Sequence, residues 1–342
     1  MKFLRLSVIS FLFIIIITSV VVYGIKFSLA RLSVLEDPLY PQEDPKYFKR
    51  PLGRQSVWMK LRNVNFRFTD KISLKIDNLV AELTPLTTNG IVNFDDINSF
   101  KIDVKEGEAY LKVSVMEHIF KDHIFNYDGS PLRLKSIQLL PPSPNNENLM
   151  RLEGELKFGM WLGFEMTGNI KLDKQNNKII IATEKIKTLG NPFTKPLLGI
   201  VGLNLQKLLP VPKGRGIVIE QNKIIVSPYK LFPPPALSGE IIELKGVKDN
   251  LYLKFGSPQK IYFPAMPKQN VSNFLFLYKG EVKFGKLYMV DTVLEMIDKD
   301  PSDEFDFYLA KYFQTLTRGG QALIQPDRSV VVELPDYSDV FK

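Results

Sequence analysis

The sequence predicts an α+β protein, mostly antiparallel β, in which a long curved sheet is rolled around one or two helices. Two consecutive segments within residues 151–172 alternate strictly between apolar and polar side chains. This alternation is the pattern of a sheet with one buried and one solvated face. Residues 194–209 then form a helical pattern with almost no polar face. A helix that is apolar nearly all round must be enclosed.

The alternation defines a long hairpin. Apolar or small side chains take the even positions from Leu152 to Phe158 and from Met160 to Leu172, whereas the charged and polar side chains of both segments all fall on odd positions. A two-residue turn would exchange this parity, so we expect an odd number of turn residues, about three or five, between Gly159 and Gly163. The second strand is predicted to run about ten residues, longer than is usual.

The apolar helix is predicted to begin near Thr194, a capping residue, with Pro196 in its first turn. It is too short to cross a bilayer, which needs about 20 apolar residues, so the sheet is its expected enclosure. Two interpretations remain open. The core is either an ordinary filled α+β core or a rolled sheet that leaves an apolar cavity or groove for a ligand.

Shorter patterns predict the remaining elements. Before the long hairpin we expect strands at Val57 to Phe68, Ile72 to Leu83, Phe100 to Val104, Glu108 to Val113 and Leu132 to Leu140, a turn at Glu106-Gly107, and a short helix from Val115 to Phe125 capped by Ser114. After it we expect a strand at Lys178 to Glu184, a hairpin from Gly216 to Val226 turning at Gln221-Asn222, and a hairpin of Ile241 to Leu244 with Leu251 to Phe255. Beyond Ser257 we expect strands at Phe274 to Tyr278, Glu281 to Val290 and Ser329 to Leu334, and a helix from Asp303 to Thr317.

The N-terminus carries an uncharged segment of membrane length, residues 6–25, with Lys2 and Arg5 before it. A retained anchor is favoured because the apolar core of a cleaved signal peptide usually has about 7–15 residues. Ser28-Leu29-Ala30 keeps a cleaved signal open. We therefore expect a single-pass protein of the inner (cytoplasmic) membrane, with its body on the periplasmic or extracytoplasmic side.

Four regions follow from these patterns. They are a transmembrane anchor or signal peptide (1–31), a proline-rich tether (32–55), a rolled-sheet domain (56–256) and a C-terminal α+β extension (257–342).

Composition limits the function. The 342 residues are 45% hydrophobic and 24% charged, which is enough to bury a core. The absence of cysteine excludes disulfides, thiol catalysis and cysteine-based zinc sites. The net charge of +8 is spread along the chain without a basic block, so no nucleic-acid partner is expected. Acidic residues are concentrated in 291–306.

Patterns for catalysis are missing from the sequence. His118 and His123 are five residues apart, which is not the spacing of HExxH zinc ligands. Glu153 and Glu155 fall on the predicted solvated face beside basic residues, so an ion-pair ladder is favoured over an acid/base pair. We expect no enzyme, no catalytic residue, no metal site and no cofactor. Trp161 is expected in the core.

Two runs carry a family resemblance: LRLEGELKFGMWLGFEMTGNIKLD, and KIIIATEKIKTLGNPFTKPLLGIVGLNLQKLLPVPKGRGIVIEQNKIIVSP. Their order of long hairpin, strand, leucine-rich helix and leucine-proline segment entering a hairpin resembles the LmeA-like phospholipid-binding family and, more distantly, the TULIP-type lipid-binding proteins. The resemblance implies a TULIP-like curved sheet rolled around helices to form an apolar cavity for acyl chains, in an envelope protein that is not an enzyme. The long anchor and the residues after Ser257 depart from this pattern.

The expected function is that of a membrane-anchored extracytoplasmic protein that binds phospholipid or another acyl-chain ligand, for lipid transfer or envelope maintenance. The membrane is a second expected partner, and the sequence identifies no protein partner. A scaffolding protein filled by its own side chains is the alternative, and an envelope hydrolase would need Asp303, Asp306 and His123 to converge. The lipid-binding candidates are apolar side chains of the predicted sheet and helices: Leu156, Phe158, Leu162, Phe164, Met166, Leu198, Val201, Leu205, Ile119 and Phe120.

Overall fold

A computed structural model of the chain describes residues 56–86, 90–142, 148–158, 160–188, 204–256 and 263–341. All of them lie in one compact unit, residues 53–342. The predicted anchor (1–31), the predicted tether (32–55) and most of the predicted apolar helix lie outside these residues. Within the described part, no helix has the length and apolar character needed to cross a membrane.

The described chain is an α+β fold built mostly of antiparallel strands, as predicted. The strands are β1 (Val57–Arg67), β2 (Ser73–Pro85), β3 (Val92–Asn93), β4 (Phe100–Lys112), β5 (Leu132–Leu139), β6 (Leu149–Phe158), β7 (Met160–Asp173), β8 (Lys178–Thr188), β9 (Ile217–Glu220), β10 (Lys223–Val226), β11 (Ala236–Gly239), β12 (Ile241–Val247), β13 (Asn250–Phe255), β14 (Phe274–Tyr278), β15 (Glu281–Phe284), β16 (Leu287–Val290), β17 (Val293–Asp298), β18 (Phe305–Tyr308), β19 (Gln321–Ile324) and β20 (Val330–Leu334). The α-helices are α1 (Val113–His118), α2 (Leu205–Leu208), α3 (Tyr312–Gly319) and α4 (Tyr337–Val340), with a π-helical turn at Ile119–Ile124 and 3-10 turns at Pro228–Lys230 and Leu309–Lys311.

The largest sheet has 11 strands in the order β12-β13-β4-β2-β1-β14-β17-β20-β19, with β11 beside β4 and β18 beside β1. Strand β1 pairs with both β14 and β18, so residues from 56–256 and from 257–342 share one sheet. The predicted boundary at residue 256 therefore does not separate two sheets. A second sheet of six strands has the order β5-β6-β7-β8-β10-β9, and a third has the order β16-β15-β3.

The predicted turn at Glu106-Gly107 is wrong, because β4 runs through both residues as one strand. Gly107 has φ +145° and pairs with Leu79 of β2, between two positions at which the register of the two strands shifts. A Cβ atom on Gly107 would lie 2.4 Å from Asn78 O. The glycine therefore supports a β-bulge inside a long strand, not a chain reversal.

The long hairpin has the predicted parity but a tighter turn than predicted. Phe158 of β6 pairs with Met160 of β7, which leaves one residue between the strands instead of three or five. The even-numbered residues Leu152, Leu156, Phe164 and Met166 are buried, as predicted. Strand β7 has 14 residues, longer than the ten predicted. The hairpin of β9 and β10 turns at Gln221-Asn222 as predicted.

Three helix predictions are wrong in detail. Ser114 is not a cap, because α1 begins at Val113 and Lys112 precedes it without a side-chain cap. The predicted apolar helix is not continuous through Asn204, whose backbone is extended and whose side chain caps α2 by accepting from Lys207 N at 3.0 Å. The helix predicted from Asp303 begins only at Tyr312, because residues 305–308 form strand β18.

The buried apolar side chains of the two larger sheets, α1 and the π-helical turn form one hydrophobic core. A smaller apolar cluster lies on the opposite face of β14, β17 and β20, where Phe274, Phe276, Ile297 and Val331 pack beneath Phe263 and Met266. The main core therefore lies along the inner face of the 11-stranded sheet, and that face carries the candidate site.

Candidate apolar ligand site

A cavity of about 40 Å³ lies on the inner face of the 11-stranded sheet. Its floor is formed by β1, β2, β4, β12 and β13. Along β1, β2 and β4, residues that face the core alternate with solvated ones, and the β-bulges between β2 and β4 shift this alternation. No charged side chain lines it. The lining residues are Met59, Leu61, Phe66, Phe68, Leu74, Ile76, Leu79, Ile102, Val104, Pro228, Tyr229, Phe232, Leu237, Ile241, Leu253 and Phe255.

The remaining wall is formed by residues 228–237, here called the cover segment. It contributes Pro228, Tyr229, Phe232 and Leu237 to the lining. The Phe232 ring packs against Phe68, with 5.0 Å between ring centroids. Residues 233–235 are all proline and have no N–H to donate to a neighbouring strand. Side-chain contacts therefore hold the middle of the cover segment against the sheet.

The cover segment is held by hydrogen bonds at both ends, to the residue before β9 at one end and to β4 of the large sheet at the other. Ser227 N donates to Gly216 O at 2.7 Å before the segment begins. At its far end, β11 pairs in parallel with residues 101–104 of β4. The part of the cover segment without hydrogen bonds to a neighbouring strand is thus short and lies between these two attachments.

Tyr229 lines the cavity with the carbon atoms of its side chain, and its hydroxyl contributes no surface to the cavity. Its Oη atom is buried beside the Asn177 side chain. Burial raises the pKa of Tyr229, and the charges of Asp103 and Glu240 act in the same direction, whereas hydrogen bonding to Asn177 lowers the pKa. A Cβ atom on Gly239 would lie 3.2 Å from this oxygen, so the glycine leaves room for the hydroxyl. The hydroxyl is therefore neutral and buried behind the cavity lining.

The structure places most of the predicted lipid-binding residues in the main core, away from the cavity. Six of them are buried there together: Leu156, Phe164, Met166, Leu205, Ile119 and Phe120. Leu162 is half-buried in β7. Leu198, Val201 and the side chain of Phe158 lie outside the described residues. None of the described candidates lines the cavity.

Most residues that line the cavity come from strands that were predicted from their alternation. No ligand-binding residue was predicted in these strands. Strands β1 and β2 show the same period-2 burial as the long hairpin. The signal that singles them out is the sequence of the cover segment, where Tyr229 and Phe232 precede three prolines.

Trp161 is not a core residue, contrary to the sequence prediction. It is half-buried at an odd position of β7 and stacks on Arg133, with the guanidinium carbon 3.9 Å from the ring centroid. The predicted ion-pair ladder is present on the same face. Glu155 lies 3.0 Å from Lys135, and Arg151 lies 3.7 Å from Glu165.

A second, open cleft of about 390 Å³ lies between the loop after β3 and the beginning of α3. Its lining combines polar side chains with Phe94, Ile97 and Phe313, and its Asp95 carboxylate already has two partners. Asp95 accepts a hydrogen bond from the Tyr312 hydroxyl and lies 3.0 Å from Lys283 Nζ. Tyr312 Oη also accepts from Gly285 N at 2.7 Å, which ties the helix to the β15–β16 turn.

The acidic run 291–306 contributes to a carboxylate cluster of Asp298, Asp303 and Asp336, whose oxygens lie within 4.8 Å of one another. The chain itself supplies partners. Asn273 Nδ2 donates to Asp298 at 3.1 Å, and Asp306 N donates to Asp336 at 2.6 Å. Burial, with the neighbouring carboxylates, raises the pKa of Asp336 to about 7. His123 is not part of this or any other group of three such ligands in the described residues.

Comparison of the chain with protein-family models, with curated proteins and with solved structures finds no match.

Proposed function

We propose that this protein binds the acyl chain of a phospholipid, or of a comparable apolar ligand, between the cover segment and the inner face of the large sheet. The observation that carries the proposal is the cavity whose lining holds no charged side chain. Burying an acyl chain contributes about 0.8 kcal/mol per methylene, so an apolar lining provides affinity without head-group contacts. The proposed role is lipid transfer or envelope maintenance, and no catalytic step is part of it.

The size of the cavity sets a condition on this proposal. Its volume of about 40 Å³ is far below that of sites that enclose a whole ligand, which span about 300–1,000 Å³. Binding an acyl chain therefore requires the cover segment to move away from the sheet. The prolines at 233–235, which donate no backbone hydrogen bond, favour this movement over the opening of a paired strand.

The proposed location follows from the sequence. Residues 6–25 are the proposed single-pass anchor in the cytoplasmic membrane, with the sheet on the periplasmic or extracytoplasmic side. A net charge of +8 suits a protein that works beside anionic lipids. The membrane would then be both the attachment site and the source of ligand.

The small cavity also favours a second candidate, a scaffolding protein whose core is filled by its own side chains. The two candidates differ in whether lipid occupies the site, and a cavity-filling substitution separates them. In Leu237→Trp an indole enters the lining at a half-buried position. The matched control is Val218→Trp, because Val218 is 55% exposed and lies on β9, outside the cavity.

The experiment measures co-purified lipid by mass spectrometry for the full chain and both variants, extracted and washed in the same detergent. Lipid bound around residues 6–25 is common to all three proteins, so the difference between variants reports on the cavity. We expect less lipid per chain for Leu237→Trp and an unchanged amount for Val218→Trp, with thermal unfolding used to verify that both fold. Equal amounts in all three proteins would support the scaffolding candidate.

A further inference from the structure

The end of the long hairpin carries apolar side chains that the core does not bury. Residues 160–162, here called the hairpin tip, begin β7 directly after the one-residue turn from β6. Met160 is 68% exposed, and Trp161 and Leu162 are half-buried. Phe164, the next side chain on the face of Leu162, is only 2% exposed. The hairpin therefore extends past the core and holds three consecutive apolar residues at its end.

Basic side chains accompany the hairpin tip. Lys157 is exposed and pairs with Trp161 across the hairpin, and no carboxylate of the described residues lies within ion-pair distance of its ammonium group. The Arg133 guanidinium stacks on the Trp161 ring, 3.9 Å from the ring centroid. Glu155 lies 3.9 Å from Arg133 and 3.0 Å from Lys135. Three of these four charged groups are positive, so this end of the hairpin has an excess of positive charge.

This combination of side chains fits the surface of an anionic bilayer. Tryptophan is enriched at membrane interfaces, apolar side chains enter the boundary between head groups and acyl chains, and basic side chains are attracted to anionic head groups. A protein partner fits less well, because a stable protein interface buries about 800 Å² on each side and a three-residue tip offers far less. A small contact is sufficient at a bilayer when the chain is already anchored there, since binding is then intramolecular.

We propose that the hairpin tip is a membrane-contact site, at which Met160 and Leu162 enter the interface of an anionic bilayer and Lys157 and Arg133 contact its phosphates. The Trp161 ring lies between these two groups, at the level of the head groups. The inference goes beyond acyl binding, because no residue of the hairpin tip lines the cavity. It rests only on the proposed location of the protein at a membrane.

The experiment uses the full chain with a fluorescent label at the hairpin tip. Because the sequence contains no cysteine, Met160→Cys provides a single attachment site for a nitrobenzoxadiazole label, whose emission shifts to the blue in an apolar environment. The labelled chain is reconstituted into vesicles of phosphatidylcholine, or of equal parts phosphatidylcholine and phosphatidylglycerol. Each vesicle type is prepared with and without a nitroxide quencher on the acyl chains, so that quenching reports contact between the label and the bilayer.

The matched control is Val218→Cys with the same label. Val218 is an apolar residue of the same sheet that is 55% exposed. It is in register with Lys171 through β10 and β8, so it lies at the end of β7 away from the hairpin tip. We expect the label at position 160 to shift to the blue and to be quenched in the anionic vesicles, and the label at position 218 to show neither change.

A second substitution tests the basic side chains. Lys157→Ala, introduced into the labelled Met160→Cys chain, should lower the ratio of contacting to non-contacting tips about 5-fold in the anionic vesicles, the effect of one basic residue at such a surface. The control is Lys174→Ala, because Lys174 is exposed and follows the last residue of β7, at the other end of that strand. It should leave the ratio unchanged.

The outcomes separate this inference from the proposed function. Equal quenching at positions 160 and 218, or no quenching at position 160, would overturn the membrane-contact site and leave acyl binding standing, since the lipid measured with Leu237→Trp reports on the cavity independently. Quenching at position 160 that is as strong in phosphatidylcholine alone and insensitive to Lys157→Ala would overturn the preference for an anionic bilayer. Failure of the chain to float with the vesicles would overturn the proposed location and this inference together.

Discussion

Arg67 and Asp306 join β1 to β18 across 239 positions of the chain. Arg67 Nε donates to Asp306 Oδ1 at 2.6 Å, and its Nη2 atom donates to Oδ2 at 2.9 Å. The carboxylate also accepts from Asn65 Nδ2 at 2.7 Å and from Ser338 N at 3.2 Å. This salt bridge is bidentate, and the Asp306 side chain is 7% exposed. It fixes β18 to the first strand of the sheet.

Arg67→Ala should destabilise the fold by about 2–4 kcal/mol, because it leaves a buried carboxylate without its cation. The matched control is Lys71→Ala, which removes an exposed pair with Asp122 at 3.6 Å and should cost no more than about 0.5 kcal/mol. Chemical denaturation followed by tryptophan fluorescence measures both. A variant of Arg67 as stable as the control would show that the pair does not hold the two ends of the chain together.

Gly107→Ala should be among the most damaging glycine substitutions in the chain. The new Cβ would meet Asn78 O at 2.4 Å and Leu79 Cα at 2.6 Å, both backbone atoms of β2 that cannot move aside. We expect a loss of about 3 kcal/mol or more. Gly129→Ala is the control, since Gly129 also has positive φ but nothing within 4 Å of its Cβ position, and it should cost about 1 kcal/mol. Similar thermal unfolding temperatures for the two variants would contradict the conclusion that the β-bulge requires a glycine at position 107.

Asp336 should make stability fall as the pH rises. Its pKa is raised from 3.8 to about 7, chiefly by burial. Between these values the folded chain holds a proton that the unfolded chain has released, so this contribution is complete below pH 3.8 and is lost as the pH rises through about 7. In Asp336→Asn the acceptor for Asp306 N is kept and the ionisation is removed. The variant should therefore gain stability relative to wild type from pH 4 to 8. If the free energies of unfolding of the two proteins change in parallel with pH, the raised pKa of Asp336 is contradicted.

Phe232→Ala should loosen the cover segment. The substitution removes the ring contact with Phe68 and widens the cavity. We expect a loss of about 1–3 kcal/mol, less than for a fully buried phenylalanine, and faster exchange of a fluorescent acyl ester measured by stopped-flow. Phe313→Ala, at a position 46% exposed and outside the cavity, is the control and should leave exchange unchanged. Equal exchange rates in both variants would show that ligand does not enter beneath the cover segment.

Local patterns predicted the strands well where one face is buried. The parity of the hairpin from Leu152 to Leu172 and the turn at Gln221-Asn222 follow from alternation and turn chemistry. Strand β18 did not follow, because Phe305–Tyr308 is buried on both faces by long-range pairing with β1. A fully buried four-residue strand has no alternation by which it can be recognised.

The candidate cavity lies elsewhere in the fold than the ligand site that the sequence predicted. An apolar lining was expected at the long hairpin, because of its alternation and because the apolar helix that follows it must be enclosed. The cavity instead lies over β1, β2 and β4, where the cover segment fails to fill the inner face. Two faces can be equally apolar in sequence and still differ in how completely they are packed. The packing depends on the shapes of side chains from distant segments, such as Phe68 and Phe232, and no local pattern contains that information.

The central claim is that an acyl chain occupies the space beneath the cover segment. The most direct measurement is photo-crosslinking in cells that incorporate a diazirine-labelled fatty acid into their lipids, followed by peptide mapping of the full chain. We expect adducts on peptides that contain Met59, Phe232 or Leu237, and their loss in Leu237→Trp but not in Val218→Trp. Adducts confined to residues 6–25, with none on the cavity lining, would contradict the claim.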